Sequence, residues 1–144
     1  MKRCALRLVL FGLVMSVPGV ISAQDTIPFV PSPMHVVQRM LEVAEITKGD
    51  ILYDMGSGDG RVVIEAAKKY GIRAVGVDLN PDLVAKAREN AVKEGVSHLV
   101  EFRAQDGLTV DISEASVVTL YMFKWFNNAL RPKLQHLKPG ARVI

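Results

Sequence analysis

The sequence predicts an α/β fold, a doubly wound parallel sheet, on three observations. Short apolar runs of strand length alternate with segments of helical period from residue 34 to the end. A glycine-rich turn, Gly56-Ser57-Gly58-Asp59-Gly60, carries the first apolar run into a helix. Polar residues stand where four successive runs end, Asp54, Asp78, Asp106 and Tyr121, and open parallel sheets bind ligands at that edge.

Residues 1–23 stand apart from this alternation. Lys2, Arg3 and Arg7 precede the apolar run Leu8 to Met15, and Pro18-Gly19 breaks it before Ile21-Ser22-Ala23. This is the pattern of a secretory signal cleaved before Gln24. The run is shorter than the roughly 20 residues of a membrane span, and an uncleaved membrane anchor is the alternative. The expected location is therefore exported (periplasmic or secreted), or else membrane-anchored. Residues 24–33 hold three prolines and no period, which predicts an extended linker.

The domain then begins, spanning 34–144. Residues 34–46 place Val36, Val37, Met40, Leu41, Val43 and Ala44 at helical spacing, up to Lys48-Gly49. Residues 50–53 are a short strand and 62–70 a helix stopped by Gly71. The second strand is 73–78. Asn80-Pro81-Asp82 supplies a capping side chain, a proline at the first helical position and an acid in the first turn. That helix runs to residue 94 and ends at Gly95. Residues 99–104 alternate as a third strand, 116–120 form a fourth, and 125–137 a helix with Pro132 as a kink or division. Lys138-Pro139-Gly140 turns into a fifth, apolar strand at 141–144. A buried strand there leaves a bare sheet edge, so the domain is expected to be C-terminally incomplete.

Apolar content of 49% with 23% charged residues describes a globular chain. The net charge of +3 comes from Lys2, Arg3 and Arg7; 18 basic residues less these three leave 15 against 15 acidic ones. Composition therefore indicates no nucleic-acid face. Cys4 is the only cysteine, so the domain has no disulfide. His35, His98 and His136 have no neighbours at metal-ligand spacing, and no metal site is expected.

The turn carries most of the chemistry. Its G-x-G-x-G spacing is one residue shorter than the dinucleotide fingerprint G-x-G-x-x-G. Asp54 and Asp59 would set two carboxylates beside a pyrophosphate, which like charges at short range disfavour. They suit a ligand carrying an ammonium and a sulfonium, S-adenosyl-L-methionine. Asp78 lies 20 residues past Gly58, at a strand's carboxyl end, where an acid hydrogen-bonds ribose hydroxyls. Taken alone, Asp78 also fits a loop acid capping the next helix. Gly56, Ser57, Gly58 and Gly60 form the cradle, and Leu79 and Asn80 extend the site beyond Asp78.

Asp54 to Gly60, Gly76-Val77-Asp78 and Ala104-Gln105-Asp106 together resemble the three ordered cofactor motifs of class I S-adenosylmethionine-dependent methyltransferases. The resemblance covers residues 29–144. Phe29-Val30-Pro31-Ser32-Pro33, joined to Gly56-Ser57-Gly58-Asp59-Gly60-Arg61, is similar to the ATP synthase c-subunit lysine methyltransferases and their bacterial relatives. The chain departs from them at Lys124, where many relatives carry proline, and in lacking the last two strands of a seven-stranded sheet. The resemblance implies a Rossmann-like sheet of order 3-2-1-4-5. It also implies Asp54 at the methionine ammonium, Asp78 at the ribose, and Gln105 and Asp106 at the adenine edge.

The implied methyl acceptor is a protein lysine; membrane association is expected only on the anchor reading of the N-terminal segment. A lysine acceptor must be neutral, against an ordinary pKa near 10.4, so an apolar slot is required. Tyr121, Phe123 and Trp125 fit the wall of such a slot, or equally core packing under the fourth strand. No residue is an evident general base. Two other functions fit: a small-molecule or RNA methyltransferase, and a non-catalytic cofactor-binding module.

Overall fold

The computed structural model describes residues 29–144. The expected leader, 1–23, and residues 24–28 of the linker lie outside them. Residues 29–33 have no regular structure, and the elements follow as α1 (Met34–Val43), β1 (Ile51–Met55), α2 (Arg61–Tyr70), β2 (Arg73–Asp78), α3 (Pro81–Lys93), β3 (Val100–Ala104), β4 (Val117–Leu120), α4 (Lys124–Leu134) and β5 (Arg142–Val143). All five strands are parallel in the order β3-β2-β1-β4-β5, the Rossmann-like arrangement expected.

Alternation along the strands divides the core in two. Leu52, Ala74 and Val117 join Val37, Leu41, Val63, Ala66 and Ala87 from α1, α2 and α3. Tyr53, Met55, Val75, Val77 and Val118 face the other way, onto Phe126 and Leu130 of α4 and Val110, Ile112 and Ala115 of the segment before β4. β1 is covered on both faces, as the central strand of a parallel sheet must be. By the same alternation Asp54 points to the α2 side, where it is buried.

Element ends follow local chemistry. Asn80 Oδ1 accepts the Asp82 and Leu83 N–H groups at 2.9 and 3.4 Å, and Pro81 opens α3. α1 is shorter than expected: it ends at Val43, because Glu45 takes a left-handed conformation (φ 48°) and the chain leaves the helix. Pro132 lies inside a continuous α4, which closes at Leu134 rather than at 137. The expected apolar strand at 141–144 is two residues long, with Val143 45% exposed. Among the described residues it pairs with β4 alone, through Arg142 N–H to Ser116 O and Ile144 N–H to Val118 O, both 3.0 Å. Among the described residues no helix is long and apolar enough to cross a membrane.

Asp50, 8% exposed just before β1, ties four segments together. Its Oδ2 accepts the Thr47 N–H (2.7 Å) and hydroxyl (3.0 Å); its Oδ1 accepts the Ser116 hydroxyl (2.6 Å) and an Arg142 N–H. The other guanidinium arm of Arg142 donates to the Ala44 and Glu45 carbonyls at 3.0 and 2.9 Å. Burial acts to raise the Asp50 pKa, but donors from Ser116, Thr47 and Arg142 outweigh it and hold it below the usual range. A lowered carboxylate pKa stabilises the fold above the unfolded value, near 3.9, and that contribution is lost as pH falls through the folded value. Asp50→Ala should cost about 1–3 kcal/mol by stranding these donors. Urea melts from pH 7 downward should show the deficit in full at pH 7 and shrinking as the pH falls below the ordinary carboxylate range.

Candidate functional site

β1 enters the loop with its last residues buried, and the chain must reverse into α2 within five residues. Neighbouring β2 holds that turn. The Val77 carbonyl accepts both the Gly56 and Ser57 N–H groups, at 2.9 and 3.0 Å. Asp78 Oδ2 accepts the Gly58 N–H at 2.8 Å, while its Oδ1 accepts the Asn80 N–H at 2.9 Å. Asp78 thus joins the glycine loop to the cap of α3, a structural duty alongside the ligand role expected of it. Each carboxylate oxygen retains a further lone pair for a hydroxyl.

The glycines serve different needs. Gly60 has φ 82° and caps α2; a Cβ there would sit 2.7 Å from the Phe102 ring and 2.9 Å from Ala87, so it is spent on packing. A Cβ on Gly56 would collide with the Met122 thioether, and one on Gly58 with the Phe29 ring. Met122 and Phe29 pack directly on these two bare backbones, so neither position leaves room for a side chain. Gly76, read in the sequence only as part of a motif, has a steric reason here, since a Cβ there would strike the Ser57 hydroxyl. That hydroxyl is buried with no hydrogen-bond partner among the described residues.

Asp54 is the unusual group of the site. It is 5% exposed and receives one side-chain hydrogen bond, from the Thr119 hydroxyl at 2.7 Å. Burial raises its pKa to about 7, opposed by the Thr119 bond and reinforced by the charges of Asp78 and Asp59. A carboxylate so poorly solvated is a receptor for a cation. Thr119 escaped the sequence analysis; a hydroxyl in the apolar run Val117-Val118-Thr119-Leu120 was the available signal.

Asp59 lies elsewhere in the charge plan. Arg61 grips it from Nε to Oδ1 (2.9 Å) and from Nη2 to Oδ2 (2.5 Å), and the third arm of Arg61 donates to the Ser32 carbonyl at 2.8 Å. Burial acts to raise the Asp59 pKa, but the Arg61 guanidinium outweighs it and holds the carboxyl below its usual range.

The remaining candidates lie along the same edge. Leu79 is 42% exposed, and Asn80 is occupied as a cap. Gln105 and Asp106 are exposed; the Gln105 N–H bonds the Asp78 carbonyl at 3.0 Å, and Asp106 Oδ1 accepts the Leu108 N–H at 2.9 Å. Tyr121 is 75% exposed, Trp125 57% and Phe123 47%, so none of the three packs beneath β4; Phe126 does that instead. Trp125 meets Phe126 edge-on, centroids 5.7 Å apart. Among the described residues no group of side chains could hold a metal ion.

Buried Asp54, the Gly56–Gly58 cradle and the hydroxyl-binding capacity of Asp78 fit S-adenosyl-L-methionine: a cation receptor, a backbone surface for an aliphatic chain, and an acceptor for a sugar. Residues 54–144 match the family model of the ANTKMT methyltransferase domain. A protein-lysine N-methyltransferase of Saccharolobus islandicus (strain REY15A) is 45% identical over 120 residues, 82% of this chain and 74% of that one. The ATP synthase c-subunit lysine N-methyltransferase of Xenopus laevis is 40% identical over 119 residues, 82% of this chain but 52% of that one. The chain thus spans about half the length of such animal relatives. Among solved structures, an RNA methyltransferase from Salinibacter ruber in complex with S-adenosyl-L-homocysteine superposes with a TM-score of 0.77 at 56% identity, covering 79% of this chain and 75% of that one. The chain belongs to the ANTKMT methyltransferase domain family, within the class I S-adenosylmethionine-dependent methyltransferases.

Proposed function

We propose that the chain transfers a methyl group from S-adenosylmethionine to the side-chain amine of a protein lysine. The observation that carries the cofactor half is Asp54, a carboxylate buried at the head of the glycine turn with its pKa raised to about 7. It receives the methionine ammonium, which restores its charge on binding. Asp78 takes the ribose hydroxyls while keeping the loop closed, and Gln105 and Asp106 border the adenine. When bound, the cofactor supplies an electrophilic methyl group; the protein's task is to orient the acceptor and exclude water.

The acceptor half rests on three supports. The charge beyond residue 23 is balanced, which does not favour a polyanion. The archaeal and animal relatives carry protein-lysine names. Tyr121, Phe123 and Trp125 are all exposed in the stretch after β4, and aromatic faces lower the cost of holding a lysine stem and the methylated cation it becomes. An RNA acceptor is the second reading, favoured by the name of the Salinibacter ruber protein. Radiolabelled methyl transfer to a cell extract decides between them: protease-sensitive, ribonuclease-resistant label supports lysine, and the reverse pattern rejects it.

Asp78→Ala removes the acceptor of the Gly58 N–H and of the sugar, and should weaken S-adenosylhomocysteine binding by about 1.5–3 kcal/mol. Calorimetry showing tighter binding of NAD than of S-adenosylhomocysteine would overturn the cofactor assignment.

Asp54→Asn should separate function from stability. A carboxyl whose pKa is raised on folding binds its proton more tightly folded than unfolded, so stability falls as pH rises from about 4 to about 7. The amide keeps the neutral shape and still accepts from Thr119. The variant should therefore be more stable than wild type at pH 8, by something on the order of 2–4 kcal/mol, with the gain gone near pH 4. Cofactor affinity should drop most above about pH 7, where Asp54 is ionised, and less as the pH falls and Asp54 takes up its proton. A variant no more stable than wild type at pH 8 would show that Asp54 is not an energetic burden.

A further inference from the structure

We propose that residues 29–33 are a strap completing the cofactor site, with the Phe29 ring as its retaining wall and Arg61 as its latch. This rests on the cofactor assignment above. The strap precedes the residues matched by the family model, 54–144.

Two side chains from distant parts of the chain converge on the cradle. Phe29 comes from the segment before α1 and packs on Gly58; Met122 comes from the loop after β4 and packs on Gly56. Their apolar groups lie over the two glycines that carry no packing duty toward the helices, unlike Gly60. Phe29 is 45% exposed, so much of its ring is left uncovered. A half-bare aromatic face beside a glycine turn and a buried carboxylate matches a ligand whose aliphatic chain ends in an ammonium.

Besides the Phe29 contact, the strap is held at two points. Arg61 Nη1 donates to the Ser32 carbonyl at 2.8 Å. The same guanidinium is fixed by its two bonds to Asp59, a pair 27% and 21% exposed. At the far end the Pro33 carbonyl accepts the Val36 and Val37 N–H groups, at 2.9 and 3.1 Å, which anchors the strap to α1. Pro31 and Pro33 fix their own φ angles and stiffen the short span between anchors. Asp59 and Arg61 thereby acquire a purpose that the ligand does not give them: they are positioning residues acting through the strap. The loop that binds the cofactor also carries the latch that closes over it.

Stopped-flow release of S-adenosylhomocysteine from the full chain tests this, with Trp125, the only tryptophan, as reporter and a displaced radioligand as check. Phe29→Ala should leave the melting temperature of the ligand-free chain unchanged and speed release about tenfold, as expected on baring roughly 50 Å² of apolar contact. Phe29→Leu should recover most of the loss. Arg61→Ala should speed release similarly, and the double variant should add little, because both act on one element. If wild type binds but Phe29→Ala releases ligand at the same rate or more slowly, the ring is packing or a plug and the strap is refuted. If wild type fails to bind S-adenosylhomocysteine, the cofactor assignment itself falls, and the strap with it.

Discussion

The site depends on a turn that is hung from the strand next to it. Gly56 and Ser57 share the Val77 carbonyl, and Gly58 is pinned by the Asp78 carboxylate. The first crossover therefore has no stable end until β2 has been laid beside β1. Once it has, three consecutive N–H groups are fixed, and α2 departs with its amino end at the sheet edge. Asp78 acts in fold and site at once, which is why an acid at the end of β2 is more than a ligand contact.

The two ends of β1 show how environment gives one residue type two uses. Asp50 stands at the entrance with donors from Thr47, Ser116 and Arg142 and stays ionised. Asp54 stands at the exit with only the Thr119 hydroxyl and the like charges of Asp78 and Asp59 nearby. The first acid is satisfied and structural. The second is left in deficit, and a deficit in a buried carboxylate is a binding potential that the rest of the fold sustains.

The pattern of alternating periods sufficed for the order and direction of the strands, because parallel strands need helical crossovers of one hand. It sufficed also to set the ends of β1, β2, β3 and β4 along one sheet edge, since parallel strands all point the same way. Helix ends were less legible: the stop of α1 depends on Glu45 turning left-handed in a setting where Arg142, 97 residues on, binds its carbonyl. The pairing of Asp59 with Arg61 was invisible for a related reason. Both residues sit in a turn, where no helix or strand period says which side chains meet. Phe29 could be noted as part of an entry segment, but only the folded chain lays its ring on Gly58. Long-range contacts made by irregular segments have no local signature.

The Arg142 fork spans the chain: its bonds reach Asp50 and the Ala44 carbonyl, 98 residues away. During synthesis the amino-terminal half leaves the ribosome first, and α1, β1, α2 and β2 can assemble among themselves. Asp50 must then wait, its carboxylate lacking both Ser116 and Arg142, until the segment carrying Arg142 has emerged. The joint that fixes α1 against the sheet is thus a high contact-order closure, formed late and slowly. A nascent chain stalled before Arg142 would display a sheet already carrying its glycine turn, with its first helix still loosely attached.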